Sequence, residues 1–220
     1  MIKYWFIRHC DKTDDNTDVN CSEQGYKRAQ DWATFFTDPK NTPNFTSSNV
    51  SIIASGYGDC HEKSQRMMET VQPLSIMLRV PIQNQYCVGQ EDQVSNLILK
   101  QTTENVLVCW EHHNMISIMN QLLSSKNQLT AWPKEVDDAF NFLFMIQNSI
   151  LYFDCIDFDL EGDKNQCTNI KNSSWLSNAL PIVAQYDYGY GSSSNKIVYI
   201  VIGIVVLIVV ILGIINLKKS

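Results

Sequence analysis

The stretch of sequence that decides the fold is residues 2–10, IKYWFIRHC. Apart from one lysine, residues 2–7 are apolar, and most of them are β-branched or aromatic, which is the pattern of a strand buried on both faces. Two further runs of this kind follow, at residues 50–54 (VSIIA) and 106–110 (VLVCW). The sequence therefore predicts three short, buried strands.

Helical patterns separate these strands. An apolar face at residues 26, 29, 33 and 36 belongs to a helix that Ser22 opens, and residues 115, 118, 119 and 122 form a second apolar face after the third strand. Strands that alternate with helices pair in parallel, and continuously apolar strands are covered by helices on both faces. The predicted fold class is α/β, a three-layer sandwich with a mostly parallel sheet.

Polar side chains follow each strand, at the sheet edge where such folds bind ligands. Arg8 and His9 follow the first strand, a loop after the second leads to Arg66, and His112 and His113 follow the third. Arginine presents a planar fork that matches phosphate oxygens, and a neutral histidine can act as a nucleophile. The pattern predicts phosphoryl transfer through a phosphohistidine.

These residues resemble the histidine phosphatase superfamily, also called phosphoglycerate mutase-like, whose first strand ends in Arg-His. Residues 22–29 (SEQGYKRA) look like the family's first helix, and residues 66–70 (RMMET) match its R-x-x-x-T helix start. Residues 106–114 look like the strand that ends in the second catalytic histidine. The order of these motifs agrees with the family across most of residues 2–180.

The resemblance implies a role for each site residue. His9 is the expected nucleophile, Arg8 and Arg66 are expected to bind the phosphate, and His112 is expected to donate to its oxygens. Glu91, preferred to its neighbour Asp92, is the expected general acid. The implied enzyme is a metal-independent phosphatase that uses no cofactor, acts on a small phosphorylated substrate and hydrolyses it rather than moving the phosphate as a mutase does.

Three departures from the family pattern keep an alternative open. Cys10 and His113 stand where the family usually has glycine, and the loop before Arg66 is long. The alternative is a domain that binds a phosphorylated ligand with little or no turnover.

The acidic residues just after the first strand, Asp11 among them, are interpreted as a solvated loop.

The end of the sequence predicts a membrane anchor. Residues 197–215 form a run of 19 residues without a charge, long enough for a helix to cross a hydrocarbon core of about 30 Å. We assign residues 1–180 to the phosphatase-like domain, 181–196 to a flexible linker and 197–217 to a single transmembrane helix in the lipid bilayer. Oligomeric state is not legible from the sequence.

The charge of the chain excludes nucleic acid as a partner. All 23 Asp and Glu residues but only 14 of the 17 Lys and Arg residues precede residue 196, which leaves that part of the chain at −9. Nucleic-acid binding depends on clustered positive charge, which neutralises phosphates.

The cysteines and the first residues predict a cytosolic domain. Seven cysteines are an odd number without a C-x-x-C pair, so reduced thiols are expected. The apolar run between Lys3 and Arg8 is shorter than the core of a signal peptide, and this favours a tail-anchored protein with its N-terminal domain in the cytosol. The rival topology is a glycoprotein whose domain lies on the other side, where four N-x-[ST] sequons, at Asn20, Asn44, Asn49 and Asn172, would matter.

Overall fold

The computed structural model describes residues 1–15, 17–57, 60, 64–124, 128–129, 131–132, 137–171 and 183–184. In chain order, the elements are β1 (Lys3–Arg8), α1 (Glu23–Thr37), β2 (Val50–Ala54), α2 (Arg66–Leu78), β3 (Ile82–Gln83), α3 (Glu91–Leu99), β4 (Asn105–Trp110), α4 (His112–Leu122), β5 (Phe142–Gln147), β6 (Ile150–Cys155), α5 (Asp163–Lys171) and β7 (Val183–Ala184).

The strands form one sheet in the order β3-β2-β4-β1-β5-β6-β7. The three predicted strands are β1, β2 and β4; they are parallel, and β4 lies between the other two. The sheet is mixed because β5 runs antiparallel to both β1 and β6. The carboxyl ends of β1, β2 and β4 therefore meet at one edge, as the sequence predicts.

The antiparallel part of the sheet was not predicted. β5 and β6 form a hairpin in which Gln147 pairs with Ile150, so that only Asn148 and Ser149 form the loop. Both loop residues have positive φ, 56° and 58°, which is the backbone of a two-residue type I′ turn. The sequence prediction contained neither of these strands nor the turn at Asn148 and Ser149 that joins them.

Two cores, one on each face of the sheet, confirm the three-layer arrangement. On one face, Trp5 and Ile7 of β1 pack with residues of α1 and α2. On the other face, Phe6 packs with residues of α3 and α4. Neighbouring residues of a strand point to opposite faces, so β1 contributes to both cores and is completely buried in its middle.

Helix α1 begins where the sequence predicts and packs very closely on the segment after β1. The Ser22 side chain caps the helix by accepting a hydrogen bond from Gly25 N at 3.0 Å. A Cβ at position 25 would lie 2.7 Å from the backbone oxygen of Asp11, so only glycine permits this approach. The close contact fixes the segment after His9 against α1.

A buried ion cluster supports the same segment from behind. Arg28 of α1 is 1% exposed and donates to both carboxylate oxygens of Asp11 and of Asp163, the first residue of α5. The expectation that Asp11 belongs to a solvated loop is therefore wrong. Asp11 is bound by the guanidinium of Arg28, which is 17 positions away in the sequence. The local composition around Asp11 does not indicate this contact.

The expectation of reduced thiols is also wrong. Six of the seven cysteines form disulfides, Cys10–Cys21, Cys60–Cys87 and Cys155–Cys167, with Cα–Cα distances of 5.7, 5.6 and 5.3 Å. The seventh, Cys109, is a free thiol in the middle of β4, and burial raises its pKa. Pairing depends on how the fold brings distant cysteines together, which spacing along the chain does not reveal.

None of the helices in the described ranges is long and apolar enough to cross a membrane. The predicted transmembrane helix at 197–217 lies outside the described residues, as does the predicted linker at 181–196 apart from the two residues of β7. The anchor and the domain boundaries stay predictions.

Replacing Arg28 by alanine should destabilise the protein by about 3–5 kcal/mol, because it leaves the buried carboxylates of Asp11 and Asp163 without a counter-charge. Urea unfolding followed by circular dichroism measures the loss. Lys27→Ala, at the exposed position next to it in α1, is the matched control and should change the free energy of unfolding by less than about 0.5 kcal/mol. Equal effects of the two substitutions would contradict a structural role for the ion cluster.

Candidate active site

The two histidines predicted to act together lie side by side. His9 follows β1 and His112 is the first residue of α4 after β4, and their ring centroids are 6.5 Å apart in an edge-on arrangement. Both side chains are almost fully buried, at 3% and 4% exposure. The meeting of parallel strand ends thus brings together residues that are 103 positions apart in the sequence.

His9 is held in a single tautomer. Its Nδ1 lies 2.7 Å from the backbone oxygen of Cys10, which can only accept a hydrogen bond, so Nδ1 carries the proton and Nε2 carries the lone pair. Burial, together with the positive charges of Arg8, Arg66 and Lys12, lowers the pKa of His9 from 6.5 to about 3. The imidazole is therefore neutral at physiological pH, with its basic nitrogen free of the proton.

The first turn of α2 holds the backbone next to His9. Cys10 N donates to Thr70 Oγ1 at 2.7 Å, and the same hydroxyl donates to the backbone oxygen of Arg66 at 2.7 Å. The Cys10–Cys21 disulfide adds a covalent link, and Cys21 N donates to Glu69 Oε2 at 2.7 Å. The R-x-x-x-T pattern thus has a structural meaning: its threonine positions the segment that carries the histidine.

Arg8 is buried, and its guanidinium donates to the backbone. Its side chain is 2% exposed, its guanidinium carbon lies 4.2 Å from the ring centroid of Phe140, and Nη1 donates to the backbone oxygens of Asp137 and Ala139. Its Nε is buried and has no hydrogen-bond partner among the described residues. Burial lowers the pKa of Arg8 to about 10, so the group stays charged at neutral pH.

Two further cations lie near His9, and one of them was not predicted. Arg66 is half-buried, and its Nε donates to Ser64 Oγ at 3.0 Å. Lys12 has an exposed side chain, and burial of its charged group and the nearby charges of Arg8 and Arg66 lower its pKa. Because the three positive groups act on one another and on His9, they create a positive field around its free nitrogen.

Two carboxylates contact His112, and sequence analysis assigned neither a role. Nδ1 lies 2.7 Å from Glu111 Oε1, outside hydrogen-bond geometry, and Nε2 lies 3.0 Å from Asp137 Oδ1. Burial acts to raise the pKa of Glu111, but contact with His112 and a hydrogen bond from Asn114 N outweigh it and lower that pKa to about 2. Glu111 is therefore ionised, and its only local signal was its position as the helix cap before His112.

Glu91, the predicted general acid, lies at the start of α3. Its Oε1 accepts hydrogen bonds from Gly89 N at 2.8 Å and from Trp110 Nε1 at 3.1 Å. The bond from Trp110, the last residue of β4, links Glu91 to the end of that strand. Glu91 makes no hydrogen bond or ion pair with His9 or His112 in the described structure. The structure brings the other four predicted site residues together and leaves Glu91 beside them.

One group of described residues could hold a metal ion at this edge of the sheet. Ligand atoms of Glu111, His112 and His113 lie within 4.8 Å of one another. The other such group includes Cys10 and Cys21, whose sulfurs are bonded to each other and are thus unsuited to a metal. The expectation of a metal-free enzyme therefore stays a prediction.

Comparison with known proteins finds distant structural likenesses. No family model and no curated protein matches the sequence. Solved structures that resemble this one include a protein histidine phosphatase, SixA, complexed with tungstate (TM-score 0.48, 12% identity, 70% of this chain and 94% of the other). Others are a putative phosphohistidine phosphatase SixA from Agrobacterium tumefaciens (0.45, 13%, 69% and 94%) and a phosphoglycerate mutase from Plasmodium falciparum (0.39, 13%, 69% and 87%).

At these levels of identity and similarity, the likenesses do not assign an activity to this chain.

His9 should make the stability of the protein fall as pH falls. Below its usual pKa of 6.5, His9 binds a proton in the unfolded chain, whereas in the folded protein it stays neutral down to about pH 3. The unfolded state thus binds more protons between these values, and from pH 7 to pH 5 the loss from this group is about 2 kcal/mol.

Urea unfolding at several pH values measures this effect. His9→Gln should flatten the decline by about that amount, while His113→Gln, at an exposed position, should leave it as in the parent. A parent-like decline in the His9 variant would contradict a neutral, buried His9.

Proposed function

We propose that this chain is a phosphatase that hydrolyses a phosphomonoester through a phosphohistidine on His9. The observation that carries the proposal is the state of His9: Nδ1 donates to Cys10 O, so Nε2 presents a lone pair within a positive field. An imidazole in this state is a nucleophile at neutral pH, and the cations around it attract the anionic group that it attacks.

In the proposed reaction, the Nε2 lone pair of His9 forms a bond to phosphorus, and the bond between phosphorus and the ester oxygen breaks. The leaving oxygen takes a proton, water then attacks the phosphohistidine, and inorganic phosphate leaves with His9 restored. Arg8, Arg66 and His112 stabilise the negative charge on the phosphoryl oxygens, and Lys12 adds to the field. No step requires a metal or a cofactor.

Protonation of the leaving oxygen needs a carboxylic acid near the site. Glu111 is ionised, which makes it a poor donor at neutral pH. Glu91 remains the proposed acid because it is next to the end of β4 and is not paired with a cation in the described structure. The leaving group would then lie on the side of the site that α3 lines.

The charges around the site favour hydrolysis over a mutase reaction on a substrate that carries a second anionic group. An open groove borders the site at Lys12 and Phe140, and its lining includes the carboxylates of Asp14, Glu23, Asp138 and Glu161. Negative charge repels a substrate with a further carboxylate or phosphate and accepts one whose remainder is neutral or cationic. We therefore propose a small phosphomonoester that carries one anionic group.

A second candidate function is binding of a phosphorylated ligand without turnover. The observation that favours it is that Arg8 donates to two backbone oxygens and that His112 contacts Asp137. These contacts occupy groups that are needed to bind phosphate.

For either function, we propose that residues 197–217 anchor the domain to a lipid bilayer. This proposal rests on the length and hydropathy of that run.

Hydrolysis of an aryl and an alkyl phosphate by the purified full-length chain in detergent tests the proposed function. We expect turnover that persists in the presence of a metal chelator and that falls at least about a hundredfold in His9→Ala, because the nucleophile is gone. His113→Ala, next to His112 and exposed, is the matched control and should keep most of the activity.

The two substrates separate the roles within the site. Glu91→Gln should slow hydrolysis of the alkyl ester more than that of the aryl ester, whose better leaving group needs less protonation. Phosphate binding by a folded parent that turns over neither ester would favour the second candidate function. Turnover at the parent rate in His9→Ala would refute the proposed nucleophile.

The Cys10–Cys21 disulfide should contribute to the rate as well as to stability, and Cys155–Cys167 should contribute only to stability. The bridges close loops of nearly equal length, with sequence separations of 11 and 12, so Cys21→Ser and Cys167→Ser should each cost about 3 kcal/mol or less. Only Cys21→Ser removes the covalent link to Cys10, whose carbonyl orients His9, and it should lower kcat about tenfold or more. Equal kcat values in the two folded variants would contradict this positioning role.

A further inference from the structure

The three disulfides lie in separate parts of the described domain. Cys10–Cys21 joins the two ends of the loop between β1 and α1, Cys60–Cys87 joins the segments before α2 and before α3, and Cys155–Cys167 joins the end of β6 to α5. Every cysteine except Cys109 of β4 therefore lies next to a partner. Cytosolic reductants keep most thiols reduced, whereas secreted and luminal proteins use bridges of this kind throughout a domain.

One N-x-[ST] sequon is presented at the surface by the fold. Asn44 lies in the turn between α1 and β2, its side chain is exposed, and its amide makes no hydrogen bond with other described residues. Phe45, which follows it, is 2% exposed and stacks on Phe36 at 4.8 Å. Thr46 is exposed again, so a buried anchor holds the turn while the acceptor and the hydroxyl of the sequon face solvent.

The other sequons in the described ranges are less suited to carry a glycan. The Asn49 side chain is half-buried and bonds within the turn, to Thr46 N at 2.8 Å and to Asn44 O at 3.3 Å. The Asn20 amide donates to Asp18 Oδ1 at 2.9 Å and is followed by the bridged Cys21. Asn172 lies outside the described residues. A glycan on Asn44 would displace no side-chain hydrogen bond made by that residue among the described residues.

The charges around the apolar run 197–215 point the same way. Lys218 and Lys219 follow the run, and only Lys196 directly precedes it, while the part of the chain before residue 196 is strongly acidic. Positive residues that flank a membrane span tend to stay on the cytosolic side, which places the acidic domain on the opposite side. This argument is independent of the cysteines and of the sequons.

We propose that the domain lies on the luminal or extracellular side of its membrane, in an oxidising environment, and carries an N-linked glycan on Asn44. The proposal reverses the cytosolic orientation expected from the sequence. That expectation depended on the short apolar run between Lys3 and Arg8, which lies within the central strand β1, and on reduced thiols, which the structure instead pairs as disulfides. The proposed luminal or extracellular orientation does not depend on the proposed phosphatase activity.

Expression of the full chain in eukaryotic cells tests the proposal. We expect one discrete loss of apparent mass when the denatured protein is treated with an N-glycosidase, and we expect Asn44→Gln to abolish that loss. Thr46→Ala, which destroys the same sequon at another residue, should also abolish it, and Thr46→Ser, which keeps the sequon, should preserve it. Asn49→Gln, five positions away, is the matched control and should keep the glycan.

Thiol counting on the same protein provides a second readout. Alkylation after denaturation without reductant should modify one cysteine per chain, Cys109, and reduction should expose all seven. No mass change in the parent would overturn the glycan, and seven free thiols in the freshly isolated protein would overturn the oxidising environment. A mass change that survives Asn44→Gln but is lost on changing another sequon would overturn the assignment of the site.

Discussion

The hydrogen bond from the Cys10 backbone to the Thr70 hydroxyl is the contact on which the site depends. It holds the end of β1 against the first turn of α2, so that the histidine of one segment and the arginine of the other face the same space. The Cys10 carbonyl then sets the tautomer of His9. Without this contact, the Cys10 backbone would lose its hydrogen bond to α2, and only the disulfide to Cys21 and the packing of Asp11 against α1 would hold the segment that orients His9.

The support continues behind the site in two layers. Gly25 lets α1 approach the backbone of Asp11 closely, and the side chain of Asp11 is in turn held by the buried guanidinium of Arg28. A buried charge is tolerated only when opposite charges and hydrogen bonds satisfy it, so this cluster has little freedom to rearrange. The position of His9 therefore depends on Gly25, Arg28 and Asp11, which act through the segment that follows it.

The electrostatics of the site combine a neutral nucleophile with positive surroundings. Burial and the charges of three cations lower the pKa of His9, and two carboxylates beside His112 limit the net charge around the two histidines. A phosphoryl group brings the negative charge that such a volume lacks. The acidic groove next to it is consistent with the proposed substrate, which carries one anionic group.

The sequence by itself determined the three parallel strands, the helix that begins after Ser22 and the meeting of Arg8, His9, Arg66 and His112 at one edge, because strand patterns and strand ends are local properties. Only the tertiary structure decided the β5–β6 hairpin, the pairing of the six cysteines, the burial of Asp11 on Arg28 and the carboxylates around His112. Each of these depends on contacts between residues far apart in the chain. Local composition carries no record of which distant partner a side chain meets, and it is the partner that turns an apparently solvated acid or a free thiol into part of the core.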